Sequence, residues 1–402
     1  MLNLLTKTKP WIVASLLVAT SVFAQDTNRT RSTNRSCATP ECKPKACPAP
    51  CPQPCPPTQL CPPAPANPCC PAWPVPVLNA AYNYPARTMT RCPWDMFFDV
   101  SFVYWQGTQE NMELGVLSKT YTNTNVDNQL LNPSFDYKPG FKIGLGGNFD
   151  YDNWDMHGEY TWFHNTNTTK TALPTPVAGV TAAINPAWGN PGSTYGTSAA
   201  YASANQKWKL DMDLVDLDLG RWYYVGTKLT FRPSVGTRAA FIKQQANVTY
   251  VRTEATANTL ELKAKTNSWA VGPKFALDSN WVIGSGFRLF GNAETDILFT
   301  KYTKLSSKAT NTDVAFVPVV NGKQSSIGTL RTHIDLVTGL GWGTYIDCNN
   351  WYLDFTAGYE FQVFFDQNMF RFFADDSMHG KSFAPNGNLY LQGLTLTARL
   401  DF

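Results

Sequence analysis

The chain has 402 residues and a formal net charge of +3, with 16% charged and 13% aromatic residues. An ordinary soluble domain carries about a quarter charged residues, and no basic cluster here is dense enough to follow a phosphate backbone, which excludes nucleic acid as a partner class. The mean hydropathy is −0.25. No apolar run beyond the first two dozen residues could cross a bilayer as a helix, which leaves an exported soluble protein or a barrel whose alternation hides its apolar surface.

Lys7 and Lys9 precede an apolar run from Trp11 to Val22, and Val22-Phe23-Ala24 offers small residues where a signal peptidase reads. Residues 1–24 are therefore expected to be a secretory signal, with the mature chain starting at Gln25. Residues 25–92 form a Cys/Pro-rich segment that carries Cys37, Cys42, Cys47, Cys51, Cys55, Cys61, Cys69, Cys70 and Cys92. Proline fixes φ and removes a donor, so the run is expected to be extended and largely disordered, with no core. A metal cage would need a folded, fixed donor set, and no matching His pair is present, so no metal is expected. A compact disulfide knot is awkward across stiff spacers. Intermolecular disulfides to other cysteine-rich envelope proteins are the leading expectation for such a tether in an oxidising compartment.

From residue 93 to 402 the reading is a period of two. Phe98, Val100, Phe102 and Tyr104 alternate with Asp99, Ser101, Val103 and Trp105. Phe141, Ile143, Leu145, Gly147 and Phe149 alternate with Lys142, Gly144, Gly146, Asn148 and Asp150. A turn at Asp152-Asn153 leads into Trp154, Met156, Gly158, Tyr160 and Trp162, with Asp155, His157, Glu159 and Thr161 opposite. Trp208, Leu210, Met212 and Leu214 face away from Lys207, Lys209, Asp211 and Asp213. The pattern then slips at Leu214-Val215, where a β-bulge is expected before Asp216 and Asp218 continue the wet face. Leu229, Phe231 and Val235 oppose Thr230, Arg232, Ser234 and Arg238. Trp269, Val271, Phe275 and Leu277 oppose Lys274 and Asp278, and Asp278-Ser279-Asn280 reads as a turn into Trp281, Ile283, Phe287 and Leu289.

The alternation is weak beyond Gly291. It returns in Ile334, Leu336, Leu340 and Trp342, against His333 and Asp335. A turn at Cys348-Asn349-Asn350 leads into Trp351, Leu353, Phe355, Ala357, Tyr359 and Phe361, against Asp354 and Glu360. The last strand sets Leu394, Leu396, Ala398, Leu400 and Phe402 against Thr395, Thr397, Arg399 and Asp401. Its terminal aromatic, Phe402, is similar to the assembly signal of bacterial outer-membrane barrels, which makes the barrel assembly machinery an expected partner beside outer-membrane lipid.

The fold class expected is all-β, an antiparallel transmembrane β-barrel of about ten strands, with eight to fourteen open because residues 281–303 are ambiguous. Long loops are expected near 107–139, 165–206, 243–266, 304–328 and 364–389, and short turns near 151–153, 220–228, 278–280 and 346–350. Short turns belong in the periplasm. That rule puts Cys92, Cys348 and the N-terminal cysteines on one side, as a candidate disulfide network.

Five pieces lie in order along the chain: Phe98-Asp99-Val100-Ser101-Phe102-Val103-Tyr104-Trp105, Pro139 through Gly146, Leu217 through Arg221, Arg232-Pro233 with Gly236-Thr237-Arg238, and Gly286 through Gly291. Together they resemble the pore-forming major outer-membrane-protein-like family of legionellae and chlamydia-related bacteria. The resemblance covers about residues 95–402 and implies an outer-membrane barrel that conducts small solutes.

The candidate pore-lining residues are Lys142, Asp155, His157, Glu159, Lys209, Asp211, Asp213, Arg232, Arg238, Asp335, Glu360 and Arg399. Both signs are plentiful, which leaves the ion preference open. The competing reading is a closed barrel plugged by paired charges, a structural or adhesive surface protein. His157 with Glu159, and the ladder Asp211, Asp213, Asp216 and Asp218, are the features an enzyme could use. No nucleophile motif accompanies them, so no catalytic residue and no cofactor are expected. Further copies of the chain remain an open partner.

Overall fold

The computed structural model describes residues 84–90, 94–121, 125–149, 152–176, 178–188, 201–252, 259–311, 319–324, 326–373, 382–383 and 386–402. The expected signal peptide, the tract from Cys37 to Cys70, Cys92 and Asp150 lie outside the described residues.

Ten long strands form one antiparallel sheet. They are β1 (Met96–Gln109), β2 (Tyr137–Asn148), β3 (Trp154–Ala172), β4 (Tyr201–Arg221), β5 (Leu229–Arg252), β6 (Thr259–Gly284), β7 (Phe287–Asn311), β8 (Ile327–Ile346), β9 (Trp351–Asn368) and β10 (Gly387–Asp401). Each pairs with its chain neighbour, and β10 returns to β1 from Asp401↔Phe97 to Leu389↔Gln109. The sheet is a closed barrel, so no long edge is left unpaired. The barrel expectation holds, and the count of ten resolves the range left open.

Turn chemistry explains the short connections. Asp152 and Asn153 sit at φ 55° and 57°, and Asp347, Cys348 and Asn349 also have positive φ. Asp and Asn tolerate that region because their short side chains bond locally. The turn expected at Asp278-Ser279-Asn280 is absent. Those residues continue β6, paired with Asn292, Gly291 and Phe290, and the reversal is the two-residue loop Ser285–Gly286 at φ 52° and 82°. Positive φ at both central positions matches the strand twist, which a polar triplet does not by itself supply. Asp278 is polar because it faces inward to Arg232 at 2.9 Å.

No bulge occurs at Leu214-Val215 either. Strand β4 stays in register with β3 and β5 through both residues. What changes there is the polarity of the faces. Below this height Leu219, Leu217 and Val215 point outward and Asp218 and Asp216 inward. Above it Leu214, Met212, Leu210 and Trp208 are buried inside, while Asp213, Asp211, Lys209 and Lys207 point outward. β5 does the same: Val235 and Phe241 face out and Arg232 and Arg238 in, then Lys243 and Asn247 face out while Ile242, Val248 and Tyr250 are buried. β6 and β7 follow. The lower barrel is oily outside because lipid surrounds it, and the upper barrel is oily inside because water does.

This reversal also shortens the loops. Residues 243–252, 259–266 and 304–311, expected as polar loop, are strand. The stretches expected as the loops near 107–139 and 165–206 contain a small inner sheet of Gly115–Tyr121, Val126–Leu131 and Val180–Pro186.

Candidate functional site in the barrel interior

The interior has two storeys. In the lower one, inward charges from neighbouring strands meet at hydrogen-bond distance. Arg238 on β5 donates to Asp216 on β4 (2.7 and 2.5 Å) and to Glu294 (2.8 Å) and Asp296 (3.0 Å) on β7, with His333 Nδ1 2.7 Å away. Lys274 on β6 reaches Asp216 and Asp218 at 3.1 Å and Glu294 at 2.9 Å. Arg232 clasps Asp155 (2.5 to 3.1 Å) and Asp278. Arg288 holds Asp354 through both terminal nitrogens at 2.5 and 2.7 Å, and Arg399 holds Asp401. Forked guanidinium–carboxylate pairs of this kind are strong and geometrically specific.

These pairs surround a cavity of about 240 Å³, whose lining includes Asp99, Lys142, His157, Asp278, Asp335 and Arg399. The cations of this storey are Lys142, Arg232, Arg238, Lys274, Arg288 and Arg399. Against them stand Asp99, Asp155, Glu159, Asp216, Asp218, Asp278, Glu294, Asp296, Asp335, Asp354, Glu360 and Asp401. Among the described residues, carboxyl groups outnumber these cationic side chains twelve to six. Oδ1 of Asp335 and Oδ1 of Asp218 are buried without a hydrogen-bond partner among the described residues, so the cavity wall keeps acceptor capacity to spare.

The upper storey is apolar. Val103, Trp105, Phe163, Trp208, Leu210, Met212, Ile242, Val248, Tyr250, Leu262 and Leu391 form one buried cluster with Met112, Leu114, Leu117, Leu131, Ile184 and Trp188 of the inward-folded segments. Backbone bonding anchors this plug. The Tyr250 hydroxyl donates to the Leu114 carbonyl, Trp188 Nε1 donates to the Glu113 carbonyl at 2.8 Å and Asn368 Nδ2 to the Glu110 carbonyl at 2.8 Å. Trp105 marks the boundary. Its Nε1 donates to Thr395 Oγ1 (3.1 Å), Thr395 donates to Glu360 (2.6 Å), Glu360 accepts from Lys142 (2.8 Å), and the Lys142 ammonium lies 5.2 Å from the Trp105 ring centroid.

Nine of the twelve candidate lining residues point inward: Lys142, Asp155, His157, Glu159, Arg232, Arg238, Asp335, Glu360 and Arg399. Lys209, Asp211 and Asp213 do not. They lie on the outer surface of β4 above the lipid-facing belt, where Lys209 bonds Asp211 at 2.8 Å and Tyr160 donates to Asp213 at 2.8 Å. The expected bulge would have turned them inward; an unbroken β4 turns them out. The four-carboxylate ladder is thus two outward and two inward residues, and His157 is bound to Asp99 at 2.8 Å. Sequence reasoning missed Arg288, Glu294 and Asp296, because Ala293 and Thr295 dilute the outward face of β7. Their own spacing by twos with Asn292 was the available signal.

Acylation of the folded protein with an amine-reactive ester, read by peptide mass spectrometry, is expected to modify Lys209 and spare Lys142 and Lys274. Lys209 side-chain exposure is 52%, against 12% and 3%. Equal labelling of all three would return Lys209 to the interior.

A closed ten-stranded barrel with an apolar outward belt and paired inward charges defines a transmembrane protein of the bacterial outer membrane. The family described as Legionella pneumophila major outer membrane protein precursor matches residues 88–402. The chain belongs to that family, and its place is the outer membrane. No curated protein matches the chain. Among solved structures, outer membrane protease OmpT of Escherichia coli aligns with a TM-score of 0.37 and 10% identity over 79% of this chain and 99% of its own. A Pseudomonas aeruginosa FadL homologue gives 0.27 and 8% over 77% and 90%, and the Pseudomonas putida toluene transporter TodX 0.21 and 8% over 77% and 91%. At such scores these three bear on neither the mechanism nor the solute of this chain.

Proposed function

We propose that the protein is a non-enzymatic outer-membrane channel for small hydrophilic solutes, with a preference for cations, shut at its outer end by the apolar plug. The observation that carries this reading is the acid-rich cavity of the lower storey. Fixed negative charge in a lumen attracts cations and repels anions, and the paired cations there are too few to cancel it. The plug supplies the gate, because an apolar constriction excludes water and ions together.

Planar-bilayer recording tests it. The wild-type protein is expected to give discrete steps, with a reversal potential in a potassium chloride gradient shifted towards that of potassium. Gly115 pairs directly with Leu131, so a Gly-Ser link can replace the hairpin between them. That variant is expected to open more often and to wider steps. A silent bilayer with both proteins would overturn the channel reading and favour a closed structural barrel, the alternative to which the filled upper storey lends weight.

The same reading includes bracing of the envelope through disulfides on the periplasmic side. Cys348, exposed in the turn after β8, is disulfide-bonded within the chain, which leaves cross-links to neighbouring proteins to the remaining cysteines. Every other cysteine of the chain precedes residue 93. Electrophoresis of isolated envelopes is expected to show high-mass species that collapse to monomer on reduction; bands unchanged by reductant would remove this role.

A further inference from the structure

Above the lipid belt, strands β4 to β7 turn a basic face outward. The register arranges it in rows. Val215, Ala239, Val271 and Phe299 are the last wholly apolar row, and Asp213, Phe241, Trp269 and Lys301 lie next above it. The following row holds Asp211, Lys243, Asn267 and Lys304, the next Lys209, Gln245, Lys265 and Ser306, and the next Lys207, Asn247, Lys263 and Lys308. Successive rows are two residues apart along β4, β5 and β6, roughly 7 Å, and on β7 an irregularity between Tyr302 and Lys304 adds one residue between the rows of Lys301 and Lys304. The lysines therefore begin at the aromatic interface and occupy the zone just outside the hydrocarbon, where headgroups lie.

Only part of this charge is paired among the described residues. Lys209 bonds Asp211, and Lys263 lies 3.2 Å from Glu261. Lys207, Lys243, Lys265, Lys301, Lys304 and Lys308 make no ion pair among the described residues. The face is also one-sided: the outward positions of β8, β9, β10, β1 and β2 carry no Lys or Arg along their whole described length. A merely solubilising surface would have no reason to gather eight outward lysines, against Asp211, Asp213 and Glu261, on four adjacent strands.

We propose that this face binds the phosphate groups of a phosphorylated glycolipid in the outer leaflet, whose acyl chains pack on the apolar rows directly below. Lysine is a mobile, strongly hydrated point charge suited to phosphate on a flexible headgroup. Trp269 and Phe241 at the foot of the face mark the level at which acyl chain gives way to sugar. The contact is independent of the lumen and stands whether or not the barrel conducts.

The test uses the full chain refolded in neutral detergent, with diphosphoryl lipid A as probe and its dephosphorylated form as control, and binding followed by intrinsic fluorescence. The wild-type protein is expected to bind the diphosphoryl form at least about tenfold tighter than the control, with affinity falling as salt is raised. Combined Lys207→Gln, Lys243→Gln, Lys263→Gln, Lys265→Gln, Lys304→Gln and Lys308→Gln should abolish that preference while conductance stays as in wild type, and Lys→Arg at the same positions should keep it. If the sixfold Gln variant does not fold, as judged by heat-modifiable gel mobility, the pair Lys243→Gln with Lys304→Gln is expected to lose severalfold alone. Equal binding of the two lipids, undiminished binding by the Gln variants, or full displacement of lipid by inorganic phosphate at millimolar concentration would overturn the proposal, the last by showing a free-anion site instead.

Discussion

Arg238→Leu is expected to lower the unfolding free energy by about 3–5 kcal/mol, the usual cost of removing one partner from a buried ionic network. Arg238 is 3% exposed and its guanidinium serves Asp216, Glu294 and Asp296 together. Without it those carboxylates stay buried, and only Lys274 remains to compensate Asp216 and Glu294. Urea unfolding in detergent, followed by tryptophan fluorescence, measures the change. Adding Asp216→Leu should recover part of the loss, because replacing both partners by apolar groups is far cheaper than orphaning one. A loss below about 1 kcal/mol would mean that water penetrates the lower storey and does the work of the arginine.

The second large effect separates the two surfaces of β4. Leu217 is the middle of the three lipid-facing residues Leu219, Leu217 and Val215, and Leu217→Arg is expected to cost about 2–4 kcal/mol, the depth-dependent price of a cation near the bilayer midplane. Asp213→Arg, four residues earlier on the same face, should cost about 0–1 kcal/mol because it stands at or above the interface. Unfolding from lipid vesicles reads both. Similar penalties at the two positions would place the membrane boundary elsewhere on the strand.

Much of this architecture was legible in the residues. The hairpin of β2 and β3, with Lys142, Asp155, His157 and Glu159 on one side, needed only the period of two and the Asp152-Asn153 turn. The terminal strand from Gly393 to Phe402 was as plain. What failed was the assumption that an inward residue is polar at every height. That holds for Asp216 and fails for Met212 on the same face, so the residues around Leu214-Val215 imitate a bulge where the strand is continuous, and the imitation swaps the sides of Lys209, Asp211 and Asp213. The same assumption turned residues 243–252 into loop. The turn at Ser285–Gly286 was hidden because Asp278-Ser279-Asn280 has the composition of a turn while serving as lumen wall. The plug could not be read at all, since Leu114, Ile184 and Trp188 are scattered through segments with no alternation of their own, and only the closed sheet brings them together.

The change of polarity partway along β4 to β7 also governs how the sheet finds its stagger during assembly. In a barrel uniform from end to end, sliding one strand by two residues keeps every side chain on its proper side and costs little more than frayed ends. Here such a slide would pull Lys243 or Lys209 down one row towards the acyl chains, or lift Phe299 into water, and would part Arg238 from Asp216. The reversal thus works like the graduations of a vernier: parity fixes which way a side chain points, and the height of the crossover selects one shear among those that parity alone would allow.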